Sequence, residues 1–352
     1  METRTLRCIL TGLGNIGRSF LAMLPARAAY LRERYGLALR FVAVADSSGC
    51  IACEQGLDPI AIVACKRDKR GVVELAGGDI RITEMTAAAQ RLPADLLLEA
   101  TPTDIRAGQP GLDLIRAALQ RGVHVVMASK GALVVAFDEL ARMSDWSGDR
   151  RAPRLRFSGA VAGALPSVNI GWRDLAGGEI RSIEAVLNGT TQVMLTLMSE
   201  GKDYAAALAE AQRIGIAEPD PTLDVEGWDA ANKLLILSNA VLRQPTRLSD
   251  IAVEGITRVT PDDIQRARRN GGNLILLAKA ERGADGRYDL SVRPTSVPAD
   301  HPLARLGMQE AGIVYQSDIF GRTTAFSLED GPTGTAAAML RDILSIAPEI
   351  AA

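Results

Sequence analysis

Residues 218–233 hold five carboxylates, Glu218, Asp220, Asp224, Glu226 and Asp229, and one lysine, Lys233. The chain then runs straight into the apolar stretch Leu234–Leu237. Charges carried toward a buried surface are costly unless they are paired or used. Asp229 and Lys233 are spaced i, i+4, which puts them on one helix face. The stripe continues through Ile236 and Ala240, and a helix apolar nearly all round is a buried one. The pair is therefore expected at the floor of a pocket rather than as a surface salt bridge. Upstream, Glu218-Pro-Asp-Pro is a rigid extended turn that fixes a carboxylate at its entry. Asp220 and Glu226 read as solvated turn residues. A lysine set among acids in this way can exchange a proton with an oxygen.

A second constellation lies near the start. Gly12-Leu13-Gly14-Asn15-Ile16-Gly17 matches G-x-G-x-x-G directly after the apolar run Leu6–Thr11 and at the opening of a helical pattern. In that context bare amides and a helix N-terminus meet a pyrophosphate, which predicts dinucleotide binding; the alternative is a tight structural turn. Asp46 ends the next apolar run. An acid there can hold the adenosine ribose hydroxyls, which favours NAD over the 2′-phosphate of NADP. It lies well beyond the usual interval of about 20 residues from the glycines, because the intervening helix and turn are long. A simple turn-forming role before Ser47-Ser48-Gly49 is the other reading. Arg67, Lys69 and Arg70 keep NADP open.

These groups need a frame. Leu6–Thr11, 39–46, 95–100 and 124–130 read as strands, alternating with helices over 18–35 and 111–122. That β-α-β alternation predicts a Rossmann-type, doubly wound parallel sheet. Near Arg150 the polar, proline-containing SGDRRAP reads as a connection. The expected division is a dinucleotide-binding domain over 1–150, completed by about 318–352, and an α+β domain for substrate and dimerisation over 151–317. Within the latter, RFSGAVAGALPSV and EIRSIEAVLNGTT read as strands leading into turns, and a helical stretch follows to about Leu242. TRLSDIAVEGITRVT and GRYDLSVRPTSV read as strands framing a helix that runs from PDDIQRARRN into GGNLILLAKA.

Composition removes several function classes. The net charge of −2 gives no reason to expect nucleic acid, and aromatics at 4% argue against base-stacking platforms. No apolar run is long enough to span a membrane. The opening METRTLRCILTGLGNIG is already strand and turn, with no signal-peptide core. Four cysteines without a secretory signal point to reduced thiols in a cytoplasm. Cys50-x-x-Cys53 lacks the second half of a zinc site, so buried, inert thiols are expected. Two histidines leave no room for a multi-histidine metal site. His124 reads as a packed strand residue and His301 as solvated.

Two runs, NGTT…GIAEPDPTLDVEGWDAANK and ATPTDIRAGQPGLDLIRAALQRGVHVVMASKGAL, resemble homoserine dehydrogenases, and the resemblance covers essentially the whole chain. It implies an NAD(P)-dependent interconversion of L-homoserine and L-aspartate 4-semialdehyde, and a homodimer built through the middle domain. It also implies the absence of the regulatory domain that some members carry. Lys233 matches the family's proton donor or acceptor. Glu218 and Asp229 match the carboxylates that hold the amino-acid end, and Asp224 is a further acid near the substrate. Lys130 matches the lysine at the junction of nicotinamide and substrate. Thr101 and Gly215 match cofactor-contacting positions, and Gly189-Thr190 match a turn that meets substrate. Oxidising an alcohol needs a base for the hydroxyl proton while hydride leaves. A lysine serves when burial or a second cation lowers its pKa toward neutrality. Lys233 is thus expected to exchange the proton, with Lys130 orienting the oxygen.

Several positions depart from the family pattern. Ser129-Lys130 stands for an Asn-Lys turn, Gln192 for Asn, and Ile216 for a frequent Tyr or Phe. Ser158 occupies the place of a Glu that often begins a monovalent-cation loop, although the carbonyls of Val161, Gly163 and Leu165 could still ligate sodium or potassium. Leu328-Glu-Asp-Gly-Pro-Thr-Gly replaces the usual Gly-x-Gly-Ala-Gly, with Gly331 and Thr335 the nearest equivalents. Lys130, Glu218, Asp229 and Lys233 are all retained, which favours an active dehydrogenase. Ile216 and Gln192 motivate a different amino-acid substrate as an alternative. Ser158 and the altered closing turn motivate a non-catalytic NAD-binding protein.

Overall fold

Strand β1 (Arg4–Thr11) is buried continuously from Cys8 onward. An unbroken apolar run of this kind suits a strand paired on both edges and covered on both faces. The computed structural model, which describes residues 3–75, 77–82 and 85–351, places β1 in that position. The chain divides into two compact units, one of residues up to Ala160 together with Thr335 onward, the other Val161–Gly334.

In the first unit, β1 leads through the glycine turn into α1 (Asn15–Tyr35), and then to β2 (Leu37–Asp46), β3 (Gly49–Ala52), α2 (Pro59–Arg67), β4 (Ile80–Ile82) and α3 (Met85–Arg91). The chain continues with β5 (Leu96–Glu99), α4 (Gly111–Gln120), β6 (His124–Met127), α5 (Gly131–Arg142) and β7 (Leu155–Arg156). The strand order is β4-β3-β2-β1-β5-β6-β7. Pairing is parallel from β2 through β1, β5 and β6 to β7, with β3 and β4 as an antiparallel edge. The order reverses between β1 and β5, so the crevice at their carboxyl ends is the place where such sheets bind ligands. Leu6, Cys8 and Leu10 of β1 pack with Phe20, Leu21 and Leu24 of α1 in the core. Cys8, Cys50, Cys53 and Cys65 are free and buried. His124 is half-buried, and its Nδ1 accepts from the Arg154 amide at 2.8 Å.

The second unit comprises α6 (Ser167–Asn169), β8 (Ile180–Val186), α7 (Gly189–Ser199), α8 (Tyr204–Arg213), α9 (Thr222–Val225), α10 (Trp228–Leu237), β9 (Ile251–Val253), α11 (Pro261–Arg269), β10 (Gly272–Arg282), β11 (Tyr288–Pro298), β12 (Glu310–Ser317) and β13 (Arg322–Leu328). Its sheet has the order β13-β12-β8-β10-β11-β9 and is antiparallel except at β11–β9. Helix α12 (Pro332–Ile346) then returns the chain to the first unit.

Four expectations change. GGNLILLAKA is strand β10, not a continuation of α11. The left-handed Gly271 (φ 72°) ends the helix, and the segment then pairs with both β8 and β11. RFSGAVAGALPSV is extended only as far as Arg156, because Ser158–Ala160 forms a 3-10 turn and Ala162 and Gly163 take positive φ. Residues 318–334 fall in the second unit, since β13 pairs with β12 along its whole length. His301 is engaged rather than solvated: its Nε2 lies 3.0 Å from Glu184 and its Nδ1 accepts from the Leu303 amide.

Candidate active site

In the first unit the site begins at Gly12, which turns the chain out of β1 with φ 88°. A Cβ there would lie 2.2 Å from the Ala100 carbonyl, so only glycine lets this turn sit against the end of β5. A Cβ on Gly17 would likewise meet the Gly12 carbonyl. Around Gly14, by contrast, a Cβ would meet nothing within 4 Å. Gly14, Asn15 and the start of α1 therefore present exposed backbone at the sheet's switch point, with Ile16 partly buried behind them. An open glycine at a helix N-terminus fits a dinucleotide pyrophosphate.

Asp46 sits where expected, at the end of β2, but its carboxylate is heavily used. Oδ1 accepts from the Ser48 amide and hydroxyl at 2.8 and 2.5 Å. Oδ2 accepts from Lys66 Nζ at 2.5 Å and from the Val72 amide at 3.2 Å. Burial opposes ionisation, yet the Lys66 and Ser48 hydrogen bonds hold the carboxyl below its ordinary range. Lys66 was not singled out in the sequence; its place in the last turn of α2 gave no sign of a partner on β2. Thr101 follows β5, and Lys130 follows β6 at the N-terminus of α5. The Lys130 amide donates to the Thr103 hydroxyl at 3.5 Å.

In the second unit Asp229 and Lys233 share a face of α10. Lys233 Nζ lies 2.6 Å from Asp229 Oδ2 and 2.5 Å from the Leu187 carbonyl at the end of β8. Their side chains are only 12% and 15% exposed, for lysine and aspartate respectively, so the bland surface-bridge reading fails. The network extends through Asn188. Its Oδ1 caps α7 by accepting from the Thr191 amide, which points its Nδ2 at Asp224 (2.7 Å) and Asp229 (2.9 Å). Asp224 also accepts from the Thr190 hydroxyl at 2.8 Å. Asp224, Asp229, Thr190 and Lys233 are thus brought together. Asn188, missed earlier, is what joins them. An Asn immediately before Gly-Thr-Thr is a helix N-cap signal that could have found it.

Other expected members stand apart. Glu218 is exposed between α8 and α9, outside this network, and Gly215 is exposed at the end of α8. Gly189 opens α7 with only the Ile216 side chain near its open face. Gln192 is buried and donates to the Gly307 carbonyl, so it does not reach the acids. The carbonyl of Val161 accepts from the Ser167 hydroxyl at 3.0 Å. On the amide side of the same turn, Ala164 N–H donates to Glu329 at 3.1 Å. Burial pushes the Glu329 carboxyl up, while its hydrogen bonds and the Lys233 charge pull the other way. Among the described residues no cluster of His, Cys, Asp and Glu is arranged to hold a metal ion. Gly331 lies exposed just before α12.

A doubly wound sheet with an open glycine turn at its switch point, joined to a second unit carrying a lysine among acids, defines the class: a nucleotide-dependent oxidoreductase. Residues 12–150 match the NAD-binding domain of homoserine dehydrogenase and residues 166–344 match the homoserine dehydrogenase family profile. The chain is 32% identical to an NAD(+)-dependent homoserine dehydrogenase of Pseudomonas canavaninivorans, over 96% of this chain and 95% of that one. It is 33% identical to a homoserine dehydrogenase of Methanocaldococcus jannaschii, over 96% and 97%. A crystal structure assigned as a homoserine dehydrogenase from Archaeoglobus fulgidus superposes with a TM-score of 0.85 at 32% identity, covering 97% of this chain and 99% of that one. The chain belongs to the homoserine dehydrogenase family, NAD(P)-dependent oxidoreductases acting on CH–OH groups.

Proposed function

We propose that this protein interconverts L-homoserine and L-aspartate 4-semialdehyde, with Lys233 exchanging the proton at the substrate oxygen. The observation that carries the reading is the position of the Lys233 ammonium, 2.6 Å from Asp229 inside the Asn188–Asp224–Thr190 network. Asp229 and Asp224 are fixed by donors on α7 and α10, which suits them to hold the substrate's ammonium group. Glu218, which the family resemblance pairs with Asp229 in that role, is exposed and outside this network. When bound, the nicotinamide coenzyme supplies or removes the hydride. The glycine turn with Thr101 would hold it, and Lys130 would orient the oxygen. An acid at the end of β2 leans the coenzyme choice toward NAD, with the ribose hydroxyls taking the place of the Ser48 donors on Asp46 Oδ1. We propose a homodimer as the working assembly, on the strength of the family resemblance.

The test is Lys233→Ala in the full-length protein. Loss of an acid–base group lowers turnover by about 10²–10⁴-fold. The expected result is a fall of that size in kcat, with coenzyme binding retained. Near-normal kcat across the pH range would remove Lys233 from the reaction.

A further inference from the structure

We infer that Glu99 is a positioning residue, a buried acid that fixes the turns after β5 and β6 and thereby sets the places of Thr101 and Lys130. Glu99 is the last residue of β5 and is fully buried. One oxygen accepts from the Thr101 amide at 2.8 Å and from the Thr101 hydroxyl. The other accepts from the Ser129 hydroxyl at 2.6 Å. Glu99 therefore spans from one parallel strand to the next at their carboxyl ends, where the register pairs Glu99 with Met127.

The same two turns are joined at two more points. The Lys130 amide donates to the Thr103 hydroxyl. Gly131 packs so tightly that a Cβ on it would lie 2.3 Å from the Asp104 carbonyl. Gly111, the first residue of α4, has no side chain, and a Cβ there would already crowd Glu99 at 3.2 Å. The acid is thus enclosed on the α4 side as well. Burial pushes its carboxyl up against the pull of the Thr101 and Ser129 donors.

A buried acid is a poor way to gain stability, since an apolar residue of similar size often serves as well. What it gives is geometry. Three directed hydrogen bonds hold two turns in one arrangement, as a supporting shell must for groups that have to sit within a fraction of an ångström. Ser129 is the residue that makes this possible here, because its hydroxyl reaches the second oxygen.

The inference rests on the dehydrogenase reading through Thr101 and Lys130. Its test compares Glu99→Ala, Glu99→Gln and Ser129→Ala with wild type. Three quantities are read: the thermal midpoint, NADH affinity by fluorescence without substrate, and kcat and KM for aspartate 4-semialdehyde. Small displacements near reacting groups cost up to about 100-fold. Glu99→Ala is expected to lower kcat or coenzyme affinity by about tenfold or more. Glu99→Gln, which can still accept from Thr101 and donate to the Ser129 oxygen, is expected to recover much of that loss. Ser129→Ala, the mildest change, is expected to lower kcat by several-fold. If Glu99→Ala or, should it not fold, Ser129→Ala changes only the thermal midpoint while kcat and NADH affinity stay within about twofold of wild type, Glu99 is merely structural. Glu99→Gln as impaired as Glu99→Ala would also overturn the geometric role. A wild-type enzyme that binds NADH but does not reduce the semialdehyde would overturn the activity reading instead, and the NADH affinities of the variants would still decide this one.

Discussion

Asn188 joins Asp224, Asp229, Thr190 and Lys233 into one network, and its two jobs can be separated. Its carbonyl oxygen caps α7, and its amide nitrogen bridges the two acids. Asn188→Ala removes both. Loss of an N-cap costs about 1 kcal/mol and unpartnered buried groups add about 1–3 kcal/mol. The expected result is a lower thermal midpoint together with a fall in kcat/KM. Asn188→Asp keeps the cap acceptor but sets a third carboxylate against Asp224 and Asp229. It should therefore cost at least as much activity as the alanine variant. A variant pair with unchanged kcat/KM would show that the bridge does not organise the site. Asp229 and Lys233 are legible from their i, i+4 spacing and the apolar helix that follows, the roles of Asp224 and Thr190 only through the family resemblance, and Asn188 only as a helix N-cap signal. Glu218 marks the opposite limit. Its Pro-Asp-Pro context predicts a rigid entry, but rigidity says nothing about direction, and the carboxylate faces solvent.

At the scale of elements, periodicity served well where a single force dominates. Strands β1, β2, β5 and β6 are short apolar runs bounded by turns, and their burial leaves few alternatives. It failed at β10. Asn273–Ala280 is apolar enough for either element, and only pairing with both β8 and β11, invisible in a local window, decides for the strand. The Gly12–Gly17 turn allows a sharper check, because two of its glycines do different work. At Gly12 a methyl group would collide with the Ala100 carbonyl at a left-handed φ of 88°. Gly12→Ala should therefore lower the thermal midpoint and abolish NADH binding together. At Gly14 the space is open and φ is negative. Gly14→Ala should leave the thermal midpoint nearly unchanged and still weaken NADH binding, because the methyl would occupy the approach of the pyrophosphate. If both variants bound NADH as wild type does, the turn would be structural rather than a coenzyme cradle.

At the scale of the whole molecule, the two-unit organisation follows from length and from the change of pattern near Arg150. Its boundaries do not. The second crossing falls at Gly334–Thr335 because β13 extends the antiparallel sheet, and a strand at a sheet edge carries little apolar periodicity to announce it. The departures from the family pattern also look different in three dimensions. Gln192 donates to the Gly307 carbonyl at 3.3 Å, away from the hydrogen bonds that join the acids. Ile216 contributes its carbonyl to Thr190 at 3.3 Å, a contact that any residue could make. The deciding measurement follows oxidation of NADH and of NADPH, separately, by the full-length protein with L-aspartate 4-semialdehyde, and the reverse reaction with L-homoserine and each oxidised coenzyme. Turnover is expected in both directions, with NADH the better reductant and no activity on L-aspartate. Coenzyme binding without reduction of the semialdehyde, or turnover of another amino acid in place of homoserine, would contradict it.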